Sequence, residues 1–217
     1  MKLTRLPVAI LAALLAVFTV LAVLAICAPQ ARAASIPIQA ERFRGDLIRS
    51  ARFVMGMDAP VALLAGQVHQ ESGWNPTARS AYASGLAQFT PATAKDMARQ
   101  HPRDLGKAEP TDPRWALLAL CHYDKALYDA SSFARTEGDR WRFTFWGYNG
   151  GWGWVLKDRA KAKALGLDPN SASDVAGVNN GRAPEFFREN RGYDKAIDRH
   201  QRLYLPWGPG VSLVRGP

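Results

Sequence analysis

Hydrophobic residues recur at helical spacing along most of this chain. Between Glu41 and Val54, Phe43, Leu47, Ile48 and Ala51 stand at i, i+4, i+5 and i+8, a stripe on one helix face. Gly56-Met57-Asp58 interrupts the stripe, and Asp58 with Pro60 two residues on has the composition of an N-cap and first turn. The helix predicted from there runs to about Ser72 with Val61, Leu64, Ala65 and Val68 inward, and Gly73-Trp74-Asn75-Pro76 stops it. Residues 77–89 are rich in Ser, Ala and Gly and carry no stripe, which predicts an irregular loop or short ribbon. Thr90-Pro91 then opens a helix to about Gln100, residues 101–111 form a connector, and Asp112-Pro113 starts a long helix with Trp115, Leu118, Ala119, Tyr123 and Ala126. Asp139 is expected to cap a segment reaching Tyr148, Gly150-Gly151 breaks it, and a helix follows from Trp154 to Leu165. A loop over 168–181 precedes a last helical pattern from Pro184 to Leu205 and a Pro/Gly-rich tail over 206–217. The predicted class is mainly α, one domain over 34–205, without an internal repeat.

The first 33 residues do not belong to that domain. Lys2 and Arg5 are followed by an uncharged run from Leu6 to Ala28 and by Ala31-Arg32-Ala33, the pattern of a secretory signal with its cleavage site. The run also reaches the ~20 residues that a bilayer crossing needs, so membrane anchoring through residues 6–28 stays open beside cleavage. Either way the domain is expected outside the cytoplasm, periplasmic or held on the inner membrane facing the wall. Without this segment the chain keeps 25 basic and 19 acidic side chains, a formal charge of +6. That suits an anionic partner such as cell wall, lipid headgroups or nucleic acid, and equally a merely soluble domain. No basic recognition helix of a DNA-binding domain is evident, so no nucleic-acid partner is expected. Only Cys121 remains in the domain, so no internal disulfide can form, and no His/Cys cluster at ligand spacing along the sequence points to a zinc enzyme or another cofactor.

Glu71 is the residue most open to chemistry. It stands three residues after Val68 and seven after Leu64, on the inward face of its helix, and in the last turn beside a loop. A carboxyl held against apolar surface favours its neutral form, the requirement for a general acid near neutral pH. Geometry alone leaves open a frayed helix end with the carboxylate in water.

The surrounding sequence resembles a known family. Glu71-Ser72-Gly73-Trp74-Asn75-Pro76-Thr77-Ala78-Arg79-Ser80 is similar to the opening motif of the soluble lytic transglycosylase domain, glycoside hydrolase family 23. Gly85-Leu86-Ala87-Gln88-Phe89-Thr90-Pro91-Ala92-Thr93-Ala94 resembles its Gly-Leu-Met-Gln segment and following helix start, Tyr148-Asn149-Gly150-Gly151 its Ala-Tyr-Asn-Ala-Gly motif, and Glu189-Asn190-Arg191-Gly192-Tyr193 its late Glu-Thr-Arg-x-Tyr element. The four blocks keep the family's order from about Ala40 to Tyr204. The resemblance implies a lysozyme-like fold and cleavage of the glycan bond between N-acetylmuramic acid and N-acetylglucosamine, with anhydro products. It implies Glu71 as acid and base, Ser80 and Gln88 on the sugar near the cut, Tyr148 hydrogen-bonding near Glu71, and Glu189 along the groove, with Ser72 and Tyr193 as supports. Three departures stand out: Ala87 for the usual Met, a Ser80-to-Gly85 stretch shorter by one residue, and Gly147 and Gly150 for alanines. Two other outcomes fit the same scaffold, a goose-type lysozyme that hydrolyses the bond and a non-catalytic wall-binding factor.

Among the aromatics, Trp74, Trp146, Trp152 and Trp154 are expected mostly in the core, with Trp74 and Trp152 the candidates to face sugar because glycine-flanked loops present them. His69 falls on another helix face from Glu71 and is expected at the surface, as is the basic face from Lys157 to Lys163.

Overall fold

The computed structural model describes residues 35–213, so the expected signal or anchor lies outside the described residues. The helices are α1 (Ile38–Glu41), α2 (Arg44–Met55), α3 (Val61–Ser72), α4 (Pro91–Gln100), α5 (Pro102–Leu105), α6 (Pro113–Ala130), α7 (Glu137–Gly150), α8 (Trp152–Ala164), α9 (Ala172–Val175) and α10 (Pro184–Tyr204), followed by a 3-10 turn, Leu205–Trp207. The loop after α3 carries two isolated antiparallel bridges, Arg79 with Ser84 and Ser84 with Phe89, and no longer strand is found among the described residues. The mainly α prediction with a short-strand loop holds.

Local sequence accounts for several helix starts. Thr90 Oγ1 accepts from the Thr93 amide at 3.1 Å and Asp112 Oδ1 from the Trp115 amide at 2.8 Å, each ahead of a proline whose missing N–H costs nothing there. Two expected caps differ. Asp58 is exposed and caps nothing; α3 begins at Val61, and its Ala62 amide donates to the Pro209 carbonyl at 2.8 Å, so the C-terminal segment does the work of a cap. Thr136, not Asp139, caps α7, accepting from the Asp139 amide at 3.0 Å. The Asp139 carboxylate instead accepts from the Ala172 amide at 3.0 Å, inside a stretch expected to be loop that forms the single turn of α9.

α3 is the axis of the fold. Every residue from Val61 to Val68 is buried, against α2 on one side and α10 on another. The α10 crossing is close because position 66 is glycine: a Cβ there would stand 2.8 Å from the Gln201 amide nitrogen and 3.0 Å from the Ile197 carbonyl oxygen. That approach brings the N-terminal half of α10 beside the last turn of α3. A smaller apolar cluster around Phe143, Trp146, Val155 and Val175 ties α7 to α8 and α9. Trp207 and Leu213, beyond α10, are buried in the main core.

Candidate active site

Glu71 lies in the last turn of α3, which Gly73 ends in the left-handed conformation (φ 56°). It faces a groove of about 490 Å³ between α3, the loop over 77–89, α7 and α10. Ser80, Gln88, Tyr148 and Glu189, the other residues expected at the site, line the same groove, although they come from three separate stretches of chain.

The Glu71 carboxyl accepts a very short hydrogen bond from the Tyr193 hydroxyl. Burial drives its pKa from 4.5 to about 7; the Tyr193 bond opposes that rise, and the Glu189 charge across the groove adds to it. Near neutral pH the group is therefore poised both to give up a proton and to take one back.

A second carboxyl lies behind it in the core. Asp124 of α6 is fully buried and accepts from Gln67 Nε2 at 3.3 Å, one turn before Glu71. Its Oδ2 and the Gln67 Oε1 have no hydrogen-bond partner, and burial pushes its pKa well above the carboxylate range, with the Glu71 charge pushing the same way. A neutral Asp124 relieves both orphans, because its hydroxyl can donate toward the Gln67 carbonyl.

The loop is shaped by its own polar groups. Ser80 Oγ accepts from the amides of Ala83 (3.0 Å) and Tyr82 (3.3 Å), so the shortened stretch closes as a tight turn with Ser80 still on the groove. Gln88 has φ 46° and donates through Nε2 to the carbonyls of Gly85 (2.9 Å) and Ala78 (3.2 Å). Gly85 sits at φ 81° against the chain at Pro110, where a Cβ would come within 1.8 Å of a carbonyl oxygen. The Tyr148 hydroxyl donates to the Ala87 carbonyl at 2.7 Å, and its ring lies parallel to that of Tyr193, 6.4 Å away. Tyr148 thus buttresses the floor next to Glu71, while Tyr193 makes the direct bond. Ser72 turns away and donates to the Val68 carbonyl at 3.2 Å. Glu189 is exposed on the rim, where Oε1 accepts from Asn149 Nδ2 at 3.3 Å.

Two further residues join the site. Tyr82, 81 % exposed, lines the groove, and only its place in a Ser/Ala loop next to Ser80 hinted at it. Asp124 was hidden because a lone Asp in a helical stripe reads as a solvated face. Two expectations are corrected. Trp74 does not face sugar: it is fully buried, lies flat against Phe43 and donates Nε1–H to Tyr204 Oη at 2.7 Å. His69 is half-buried beneath α10, with Nδ1 2.8 Å from Tyr204 Oη and its ring stacked on His200 at 4.0 Å. The Tyr204 oxygen accepts from Trp74 and shares a further hydrogen bond with His69 Nδ1, and burial together with His200 lowers the His69 pKa to about 4. Of the remaining tryptophans, Trp146 is buried as expected and Trp152 is part-buried against Phe133.

The family model described as transglycosylase SLT domain matches residues 57–169. Membrane-bound lytic murein transglycosylase F of Maricaulis maris is 34 % identical over 117 residues, 54 % of this chain and 24 % of that protein; its Vibrio cholerae counterpart is 30 % identical over 114 residues, 52 % and 20 %. The chain thus spans under a quarter of the length of these relatives. Among solved structures, the 70 kDa soluble lytic transglycosylase of Escherichia coli superposes with a TM-score of 0.54 over 85 % of this chain and 33 % of that one, at 20 % identity, a likeness of fold.

Proposed function

The chain belongs to the transglycosylase SLT domain family, and from that membership we propose that it is a lytic transglycosylase that cleaves the β-1,4 bond between N-acetylmuramic acid and N-acetylglucosamine in peptidoglycan. The observation that carries the reading is the Glu71 carboxyl, its pKa raised to about 7, in a groove of about 490 Å³ that Ser80, Gln88, Tyr148 and Glu189 also line. In the first step protonated Glu71 donates to the glycosidic oxygen while the N-acetyl oxygen of the muramic acid attacks its own anomeric carbon. The bond to the leaving sugar breaks and a positively charged oxazolinium ring forms. In the second step the Glu71 carboxylate removes the proton of the 6-hydroxyl, whose oxygen takes the anomeric carbon, reopening the N-acetyl group and closing a 1,6-anhydro ring. Glu71 ends protonated, as it began, and no water is consumed. Tyr193 holds the carboxyl in place and steadies its ionised form between the steps, Tyr148 supports the floor, and Gln88 and Ser80 meet sugar hydroxyls. Glu189 lines the groove, and Tyr82 offers a ring face on which a sugar stacks.

The reading places the enzyme on the wall side of the inner membrane, exported through its apolar start or held by it. No helix among the described residues is long and apolar enough to cross a membrane. The mature charge of +6 suits an anionic wall polymer.

Digestion of purified sacculi by the full chain tests the proposal. Anhydro-muropeptides lighter by one water than their hydrolytic counterparts are expected, and Glu71→Gln is expected to lower their release by about a thousandfold. Products carrying the added water make the protein a lysozyme-type hydrolase instead. Binding to sacculi without any cleavage makes it a wall-binding factor.

A further inference from the structure

The four histidines of the chain form two stacked pairs: His69 with His200, ring centroids 4.0 Å apart, and His101 with His122, 3.9 Å apart. Only the second pair is joined by a carboxylate. Asp104 Oδ2 stands 3.1 Å from His122 Nε2, and the donor atoms of His101, Asp104 and His122 all lie within 4.8 Å of one another. We propose that these three residues form a binding site for a transition-metal dication of the zinc class.

The donor set is right for it, since two imidazoles and one carboxylate suit zinc, and a water completes four-coordination. The spacing needs only side-chain adjustment. Tetrahedral ligands at ~2.0 Å from a metal stand about 3.3 Å apart, so donors up to 4.8 Å apart must close by at most about 1.5 Å. Asp104 is exposed, whereas His122 is held: it is half-buried, and the Phe53 ring meets its ring edge-on at 6.4 Å. His122 Nε2 faces the Asp104 carboxylate at 3.1 Å, so a metal entering between them exchanges that one ion pair for a bond to each group. The anchors lie on different elements. His101 joins α4 to α5, Asp104 is in α5, and His122 is in the middle of α6. None of the three lines the groove, so the metal acts as a clip between α5 and α6 and takes no part in cleavage. The only cysteine among the described residues is Cys121, and such a clip supplies the cross-link that a disulfide cannot. Spacing along the sequence did not reveal the site, because the helix packing, and not a local motif, brings positions 101 and 122 together.

The test is titration of the metal-stripped full chain, carrying no polyhistidine tag, with zinc chloride by calorimetry, and with cobalt(II) by visible absorption. The expected result is a one-to-one isotherm of micromolar affinity, a cobalt spectrum of tetrahedral type, and a Tm raised by ~3–8 °C in excess zinc. Magnesium and calcium, which prefer all-oxygen ligands, leave the Tm unchanged. His101→Ala and the exposed Asp104→Asn each weaken zinc binding at least ~tenfold, and both variants digest sacculi at the rate of the parent chain. Absence of saturable binding in the parent overturns the proposal. So does zinc binding that survives intact in both variants, which would place the metal elsewhere, for example at His69 and His200. Neither outcome touches the reading of Glu71.

Discussion

Tyr193 donates its phenolic hydrogen to Glu71 from 122 residues further along the chain, and this bond moderates the rise in pKa that burial imposes on the carboxyl. It favours the ionised carboxylate and so works against the burial that raises the Glu71 pKa to about 7. Tyr193→Phe keeps the ring beside Tyr148 and removes only the donor. The expected result is an alkaline limb of the pH–rate profile displaced above pH 7, with a kcat reduced about tenfold because the carboxylate formed between the two steps is less stable. Profiles of muropeptide release for both proteins check this; a limb that moves to lower pH contradicts it.

The same shift predicts how stability depends on pH. Glu71 titrates near 4.5 when unfolded and near 7 when folded, so the folded state holds its proton more tightly. The stability tied to that proton is complete below pH 4.5, falls as pH rises to 7, and is lost above it. Glu71→Gln cannot ionise. The variant is expected to exceed the parent by about 2–3 kcal/mol at pH 8 and to match it near pH 4.5. Urea unfolding at the two pH values measures the difference, and equal stability at pH 8 would falsify the buried acid.

Asp124 and Gln67 form a buried polar pair behind Glu71, and burial favours the neutral form of Asp124. Gln67→Leu alone strands the carboxyl and is expected to cost about 1–3 kcal/mol. Replacing both residues by leucine is expected to restore or exceed the parent stability. A neutral Asp124 exerts no charge on Glu71, so the double variant keeps its alkaline limb near pH 7. A limb displaced to lower pH in that variant would show that Asp124 carries charge.

Gly150 stands where the resembling motif has alanine, and the structure supplies the reason. A Cβ there would lie 2.6 Å from Asn190 Nδ2 and 2.7 Å from Arg182 Nη1. Asn190 cannot yield, because the same Nδ2 donates to the Trp146 carbonyl at 2.9 Å and to Asn149 Oδ1 at 3.0 Å. Gly150→Ala is therefore expected to destabilise by ~1–3 kcal/mol despite the better helix propensity of alanine. Gly147→Ala, whose Cβ would meet Trp152 at 3.1 Å and Leu127 at 3.2 Å, is expected to cost less. Thermal denaturation of the two variants ranks them.

The sequence by itself determined the helical class, the helices opened by Thr90-Pro91 and Asp112-Pro113, and the placing of Glu71 on an inward face at a helix end. These follow from period and capping, which are properties of neighbouring residues. It also named four other residues that the groove gathers, through motifs quoted in order. Tertiary structure alone decided the rest, since each remaining feature joins groups far apart in the chain. The Pro209 carbonyl substitutes for the cap that Asp58 does not make. Tyr204 holds Trp74 in the core and His69 beneath α10. Gly66 lets α10 approach α3 closely enough for Tyr193 to reach Glu71, and a proton affinity depends on such burial and partners, which no local pattern encodes.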